Sequence, residues 1–252
     1  MILPKTFRGA LIFTGLALGS FFATQGSRAQ ENDPGLLRTL QIDSAPIENS
    51  YYLLAAFNND TSAGHGAYLY GEGQVAFTND WGLYFEFPWL ITRQPIGQAP
   101  LGFGPIGLFL RYEAYHFGGW NDETAGAFSI QAGGSYGFPN TSFPLIGSSW
   151  TVEGFGGYRW GRFFLQEELG YQGSIDSKGP AQWEANTGLG FRLTHEWYLQ
   201  YEADLLAPTV GRSSWTFIPQ VAFQPGDWLF EFGEAFGDSP FVYTQLMVAR
   251  AL

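Results

Sequence analysis

The three histidines are the first residues of this chain to test for metal chemistry, because the chain has no cysteine to supply thiolate ligands. On the strand arrangement deduced below, His65 falls in an external loop, whereas His116 and His195 fall at the opposite end of the strands. About 25 Å of membrane would separate the two ends, so the three imidazoles cannot share a metal ion. We therefore expect no metal site and no cofactor, and we interpret His116 and His195 as interface residues.

Motifs for nucleophilic catalysis and nucleotide binding are weak in this chain. Ser62 with His65 is the only local pair that an outer-membrane lipid hydrolase could use. Residues 102–107 spell G-x-G-x-x-G, but a dinucleotide site needs a helix after that motif, and here a strand follows. We therefore predict that the protein is not an enzyme, with a lipid-modifying barrel as an alternative.

Composition excludes a disulfide scaffold, because the chain has no cysteine, and it also opposes a nucleic-acid-binding protein. Charged residues make up 14% of the 252-residue chain and aromatic residues 18%, whereas a soluble domain usually carries about 25% charged residues. The net charge of −11 also opposes phosphate binding, which needs clustered Lys and Arg.

The N-terminus has the order of charges and apolar residues that is typical of a secretory signal peptide. Lys5 and Arg8 precede an apolar run at 9–22, and Ser27-Arg28-Ala29 offers a small-x-small cleavage site. The run is shorter than the ~20 residues of a membrane helix, and an uncleaved anchor is the alternative. The predicted parts are a signal peptide at 1–29, a periplasmic N-terminal segment at 30–49 and a transmembrane β-barrel at 50–252.

Alternation of apolar and polar residues dominates the rest of the chain. In segment 182–193, Trp183, Leu189 and Phe191 share one face, while Glu184 and Asn186 share the other. Such a period of two is typical of strands with two different faces. The sequence predicts a closed antiparallel barrel of about twelve strands, at 50–58, 66–78, 82–91, 103–117, 125–137, 148–160, 162–173, 182–193, 196–206, 214–224, 227–236 and 240–251.

Two further features favour a membrane barrel over a water-soluble β-sandwich or lipocalin-like barrel. Short links such as 78–81 alternate with longer ones such as 92–102, as periplasmic turns alternate with external loops. All nine Trp residues lie near strand ends or in turns, as two aromatic girdles require. One girdle falls on the short-turn side, and the other would form an external aromatic rim of Trp89, Trp150, Trp183 and Trp215.

The polar faces of the strands predict the lining of the lumen. This face carries both carboxylates and guanidiniums, which suits a structural network that neutralises buried charge and also a hydrated pore that selects solutes by charge. Its acid excess favours cations or neutral solutes over anions. The charged residues that we predict there are Glu72, Glu86, Arg111, Glu113, Glu153, Arg159, Glu168, Glu184, Arg192, Glu202, Asp204 and Glu231.

Two residues fit this pattern poorly. Glu167 falls on the lipid-facing side of its strand, unless a bulge at 166–168 turns it inward. Pro219 lies inside a strand and removes one hydrogen bond from the ladder. Each marks either an irregularity or an error in a strand boundary.

Two neighbouring segments resemble a known family. Residues 79–88, NDWGLYFEFP, are similar to the hairpin and strand of transporter-like outer-membrane barrels associated with phenol-degradation pathways. Residues 102–112, GFGPIGLFLRY, are similar to that family's glycine-rich segment and the strand after it, with Pro105 where an Asp is usual. The resemblance implies passive uptake of small solutes, hydrophobic ones among them, and it implies no particular binding residue.

The sequence thus predicts a monomeric barrel in the bacterial outer membrane that acts as a passive channel for small solutes, which the external rim could capture first if they are apolar or aromatic. Its expected partners are outer-membrane lipid, the barrel-insertion machinery and the solute, with no nucleic acid. The alternative to a channel is a plugged barrel whose external loops, such as 92–102, bind a partner.

Overall fold

The structure, a computed structural model, describes residues 47, 49–58, 65–94, 101–102, 105–118, 122–137, 148–176, 180–238 and 243–251. The regular elements in these ranges are all β-strands, and no helix there could cross a membrane. The strands are β1 (Ser50–Asn58), β2 (His65–Ala76), β3 (Trp81–Gln94), β4 (Leu101–Gly102), β5 (Ile106–Phe117), β6 (Thr124–Tyr136), β7 (Ser149–Trp160), β8 (Phe163–Ser174), β9 (Gln182–Arg192), β10 (Trp197–Pro208), β11 (Ser214–Phe223), β12 (Trp228–Glu234), β13 (Phe236–Gly237) and β14 (Tyr243–Ala251).

The twelve long strands form a closed antiparallel barrel, as the sequence predicts. Each long strand pairs with its neighbours in chain order, and β1 pairs with β14 to complete the ring. The two-residue strands β4 and β13 add pairs to β3 and β11. Closure leaves no sheet edge with unpaired backbone groups, which is the condition for placing strands in lipid.

The observed strand boundaries agree with the alternation of the sequence. β1 and the start of β9 coincide with the predicted positions, and most other ends differ by one to three residues. Side chains alternate between exposed and buried along the strands, most regularly in β12. Because the sheet closes on itself, the buried side chains face the interior of the barrel and the exposed ones cover its outer wall.

The short turns are built from residues that tolerate tight backbone geometry. Gly161, between β7 and β8, has φ of 57°, and Gly226, between β11 and β12, has φ of 65°; glycine adopts this left-handed region without a steric penalty. Between β2 and β3, the Thr78 hydroxyl accepts a hydrogen bond from the Trp81 amide at 3.0 Å. These turns hold consecutive strands in antiparallel register.

The two residues that fit the pattern poorly have different outcomes. The register between β7 and β8 passes through Glu167 without a shift, so no bulge turns this side chain inward, and it lies exposed on the outer wall. Pro219 stays in register with Tyr201 of β10, but pairing with the opposite neighbour stops beside it, between β12 and β13. Pro219 therefore marks a break in one ladder and not a wrong strand boundary.

The signal peptide at 1–29 lies outside the described residues, as does most of the predicted N-terminal segment at 30–49. Two residues of that segment are described, and both contact the barrel. The Ile47 amide donates to Glu113 Oε2 at 2.9 Å, and Asn49 Oδ1 accepts from the Ala76 amide at 2.8 Å. The division of the chain into these parts remains a prediction.

Candidate transport path along the inner face of the barrel

The twelve charged residues predicted to line the lumen all lie on the inward, low-exposure face of the barrel wall. Strand parity and cross-strand pairing put them there, and none of them is exposed. Those that are buried are Glu72, Arg111, Arg159, Glu168, Glu202 and Glu231. Those that are half-buried are Glu86, Glu113, Glu153, Glu184, Arg192 and Asp204.

A polar sector occupies the inner face of β2, β3, β5, β6 and β7, and Arg111 lies at its centre. The Arg111 side chain is 1% exposed, and its Nη1 donates to Gln74 Oε1 at 2.8 Å. Its guanidinium also lies 4.1 Å from the centre of the Phe155 ring, which is a favourable cation–π distance. The Arg111 side chain thus connects the inner faces of three strands, β2, β5 and β7.

Carboxylates in the polar sector are held by neutral donors. The Tyr84 hydroxyl donates to Glu72 Oε2 at 2.5 Å, and Gln131 Nε2 donates to Glu153 Oε2 at 2.6 Å. Charge-assisted hydrogen bonds of this length are the stronger kind. They fix the carboxylates in position along the wall.

A second group of acids lies on β9 and β10. Glu184 accepts a hydrogen bond from Asn186 Nδ2 at 3.0 Å, and Glu202 accepts one from Gln220 Nε2 at 2.5 Å. Asp204 lies directly opposite Asn186 in the ladder. This part of the wall therefore groups three carboxylates, two of which accept hydrogen bonds from neutral amides.

An apolar sector, which the sequence did not predict, occupies part of the inner face of β1, β11, β12 and β14, where Gln220, Glu231 and Gln245 are also buried. Its side chains form one cluster that Phe164 and Tyr198 join from β8 and β10, with the Phe164 ring lying over Gly190 of the neighbouring strand. The sequence did contain an indication of this sector. Gln245 and Glu231 show which alternate residues of β14 and β12 face inward, and Met247 and Leu229 share those positions. The members of the sector are Tyr52, Leu54, Ala56, Ile218, Ala222, Leu229, Ala235, Met247 and Ala249.

Three of the four Trp residues predicted to form the external rim lie on the outer wall. Trp150, Trp183 and Trp215 are exposed, and Tyr171 lies between the first two, with ring centres 5.5 Å and 4.7 Å away. Trp89 belongs to β3, but its side chain lies outside the described residues. The arrangement is that of an interfacial girdle.

The residues considered for catalysis or metal binding are not brought together by the described parts of the structure. Ser62 lies outside those parts, as does the side chain of His65. His116 Nδ1 lies 3.3 Å from Glu113 Oε1, at the short-turn end of β5. Within the described ranges, no group of three or more His, Cys, Asp and Glu side chains could hold a metal ion.

Comparison with known proteins adds evidence at the level of the fold. No family model matches the chain, and no curated protein matches it in sequence. Among solved structures, the chain is similar to the KdgM porin, with a TM-score of 0.52, 13% identity, and 81% of this chain and 99% of that chain covered. It is also similar to the KdgM porin in complex with disordered oligogalacturonate, with a TM-score of 0.50, 14% identity, and coverages of 82% and 99%.

A further match is LpxR from Salmonella typhimurium, with a TM-score of 0.46, 10% identity, and 81% of this chain and 100% of that chain covered. At this level of similarity it carries no argument about function. The KdgM matches agree with the pairing of the strands. The protein has a closed antiparallel twelve-stranded β-barrel of the outer-membrane porin type.

Proposed function

We propose that this protein is a passive channel for small solutes in the bacterial outer membrane. The observation that carries the proposal is the sorting of side chains by the closed wall, with charged groups inside and aromatic and aliphatic groups outside. Lipid demands such an outer face, and a charged inner face is what a solute path requires. A monomer satisfies both conditions, because closure of the wall needs no partner.

The charge of the inner face supports a preference for cations and neutral solutes. Of the twelve charged residues predicted for the lumen, nine are carboxylates and three are guanidiniums. Rings of acidic side chains favour cations in channels. The KdgM porin was solved with oligogalacturonate, a polymer of anionic sugars, and we propose that this chain takes a different class of solute because its wall would repel such a polyanion.

The packing of the inner face supports a narrow bore. Arg111, Gln200, Glu202 and Gln245 are at most 1% exposed, although all four face the interior. A barrel of eight strands is filled by its own side chains, while sixteen strands leave a wide channel. Twelve strands with such buried inner side chains suit ions and small molecules.

Single-channel recording of the purified protein in a planar bilayer, under a salt gradient, tests this proposal. We expect stepwise currents with a reversal potential on the cation-selective side. The double variant Glu184→Gln and Asp204→Asn should shift that potential toward zero, because it removes two carboxylates from the acidic part of the wall. The matched control is Glu167→Gln, which changes a carboxylate on the outer wall and should leave the potential unchanged. Anion selectivity of the unmodified protein would contradict the proposed solute class.

The outer girdle supports a preliminary capture step for apolar or aromatic solutes, the class that the resemblance to the phenol-associated barrels implies. Trp150, Tyr171 and Trp183 present a continuous aromatic surface near the external end of the wall. The double variant Trp150→Ala and Trp183→Ala should slow the uptake of phenol into cells that depend on this protein. The control is Trp160→Ala and Trp197→Ala at the short-turn end. Equal uptake by both double variants and the unmodified protein would remove the capture step.

A plugged barrel that binds a partner through its external loops is the second candidate function. The burial of the inner side chains favours it, because a filled lumen conducts no ions. The same recordings separate the two: silence from a barrel whose folding is verified by circular dichroism would favour the plugged barrel. Deletion of residues within 95–100, the part of the predicted loop 92–102 that lies between β3 and β4, should then abolish partner binding. Retention of a lipid-modifying activity in Ser62→Ala with His65→Ala would argue against the enzyme alternative.

A further inference from the structure

Glu167 is an acidic side chain on the part of the outer wall that contacts lipid. It is exposed in β8, and its outward neighbours along the strand are Leu165 and Leu169. It follows Phe163, whose exposed ring belongs to the girdle at the short-turn end, by four positions. At the rise and tilt of membrane strands, that distance covers about 10 Å of an apolar band about 25 Å tall. Glu167 therefore lies within the hydrocarbon region and not at its edge.

The Glu167 carboxylate has no hydrogen-bond or ion-pair partner within the described residues. The guanidiniums of the two flanking strands are on the other face of the wall, because Arg159 of β7 and Arg192 of β9 point inward. An acidic side chain inside a membrane is costly and normally has a protein partner or a function. Lipid tails offer no hydrogen-bond donor, so the donors that suit this carboxylate belong to another protein chain.

A row of four register partners across β7, β8, β9 and β10 passes through Glu167. In order, the row consists of Gly156, Glu167, Thr187 and Ala203. The Thr187 side chain is exposed on the outer wall, and within the described residues its hydroxyl also has no hydrogen-bond partner. An unpaired carboxylate and an unpaired hydroxyl thus lie side by side, between two residues that have little or no side chain.

This row is complementary to itself. Rotation by two-fold symmetry about the membrane normal reverses its order, so two copies in contact place Glu167 opposite the partner's Thr187. The same rotation places Gly156 opposite the partner's Ala203, where no large side chain separates the two walls. Such closed two-fold contacts are the commonest kind between identical chains. Inside membranes, small residues permit close approach and hydroxyl groups donate hydrogen bonds across the contact.

The outer wall is low beside the carboxylate, because Gly154 and Gly156 are consecutive outward positions of β7. A Cβ atom on Gly156 would lie 3.9 Å from Glu167 Cβ, and one on Gly154 would lie 3.7 Å from the Phe128 ring. Both are ordinary contact distances, so the packing of this chain does not require glycine at either position. The depression therefore leaves room for a neighbouring wall.

Another exposed acid of the outer wall, Glu234 of β12, has different surroundings. Its outward neighbours along the chain are Phe232 and Phe236, and both rings are exposed. Rings of this size hold a second wall away from the carboxylate between them. Glu234 therefore serves as a matched control for Glu167, with the same chemistry and no depression.

We propose that the outer wall at β7, β8, β9 and β10 binds a second copy of this chain, and that the Glu167 carboxylate of each copy accepts a hydrogen bond from the partner's Thr187. A second copy supplies the hydroxyl in register with the carboxylate, which lipid cannot do. The proposed channel does not depend on this contact, because each barrel keeps its own lumen. The dimer places two such channels side by side in the membrane.

Energy transfer between donor-labelled and acceptor-labelled copies in phosphatidylcholine vesicles tests the contact. The natural chain has no cysteine, so the labels are attached through Arg212→Cys, at a side chain that is 89% exposed. We expect transfer above the level of random proximity. Glu167→Leu should lower the association constant about ten-fold, because it removes the polar contact, and leucine suits the lipid-facing wall. Glu234→Leu, the matched control, should leave the association constant unchanged.

Two further variants test the contact without changing the acid. Thr187→Val removes the hydroxyl and keeps the shape of the side chain, so association should weaken several-fold. Gly156→Leu fills the depression and should weaken association at least as much. Circular dichroism verifies that each variant is folded, and its reversal potential, which reports on the lumen, should equal that of the unmodified protein.

Transfer at the random level in the unmodified protein would overturn the proposal and would mean that lipid alone covers this wall. Association that is equally strong in Glu167→Leu and in the unmodified protein would overturn it too. A loss of the same size in Glu234→Leu would also contradict it, because the effect would then belong to any outer carboxylate. None of these outcomes affects the channel, which stands or falls with the current recordings on the unmodified protein.

Discussion

The polar and apolar sectors of the inner face share the same alternating strand geometry, but different interactions stabilise them. In the polar sector, Arg111 and Glu72 are held by directional hydrogen bonds to Gln74 and Tyr84. In the apolar sector, Leu229 and Met247 are fully buried among aliphatic and aromatic side chains. The first sector depends on matched donors and acceptors, and the second depends on packing.

The difference shows that the inner face of a membrane barrel is not simply polar. Lipid fixes the chemistry of the outer wall, because only apolar side chains are stable there. Nothing fixes the inner face in the same way, so it can contain both buried charged groups and an apolar cluster. The two sectors can therefore be altered separately.

The largest expected effect is that of Arg111→Ala in the polar sector. Removal of a buried guanidinium leaves its acceptors and the neighbouring carboxylates without compensation, which should destabilise the barrel by about 4 kcal/mol. Unfolding by guanidinium chloride in lipid vesicles, followed by tryptophan emission, measures this change. The control is Arg212→Ala, because the Arg212 side chain is 89% exposed in its 3.5 Å ion pair with Asp238 and should contribute less than about 1 kcal/mol. Equal destabilisation by both variants would show that the network contributes nothing.

The next effect is that of Leu229→Ala in the apolar sector. The Leu229 side chain is 0% exposed, and truncation of a buried leucine typically costs about 3 kcal/mol through lost contacts and the cavity left behind. The same unfolding measurement applies. Leu246→Ala, on the outer face of β14, is the control and should cost less, because lipid fills the space that the side chain leaves. A negligible cost at Leu229 would mean that water already reaches this cluster.

The sequence was sufficient to predict the number of strands and most of their boundaries. This success has a physical origin, because strands such as β9 alternate charged and apolar residues, and lipid excludes the charged face from the outside. The same contrast is missing in β1, whose sequence SYYLLAAFN is apolar on both faces. Leu54 therefore gave no signal of its own.

The break at Pro219 was only half predictable. A proline inside a strand indicates a missing hydrogen bond, but the sequence does not say on which side of the strand it is lost. That depends on which neighbour the odd-numbered residues of β11 face, and only the bonds of Trp215 and Gln224 establish it. The absence of a bulge at Glu167 is likewise a property of the ladder, since the sequence allowed either orientation.

The smallest expected effect is that of removing one hydroxyl, the Tyr84 hydroxyl of the polar sector. Tyr84→Phe keeps the ring and its 5.9 Å contact with Phe109 but removes the donor to Glu72, so the barrel should lose about 1.5 kcal/mol of stability. Unfolding in lipid vesicles measures the loss, with Tyr201→Phe as the control, because Tyr201 is exposed on the outer wall and stacks on Phe217 through its ring. If both variants were equally stable, the short hydrogen bond between Tyr84 and Glu72 would be replaceable by water, and the polar sector would be hydrated at this depth. A clear loss at Tyr84 alone would show that the sector is held by its own side chains, as packing holds the apolar sector.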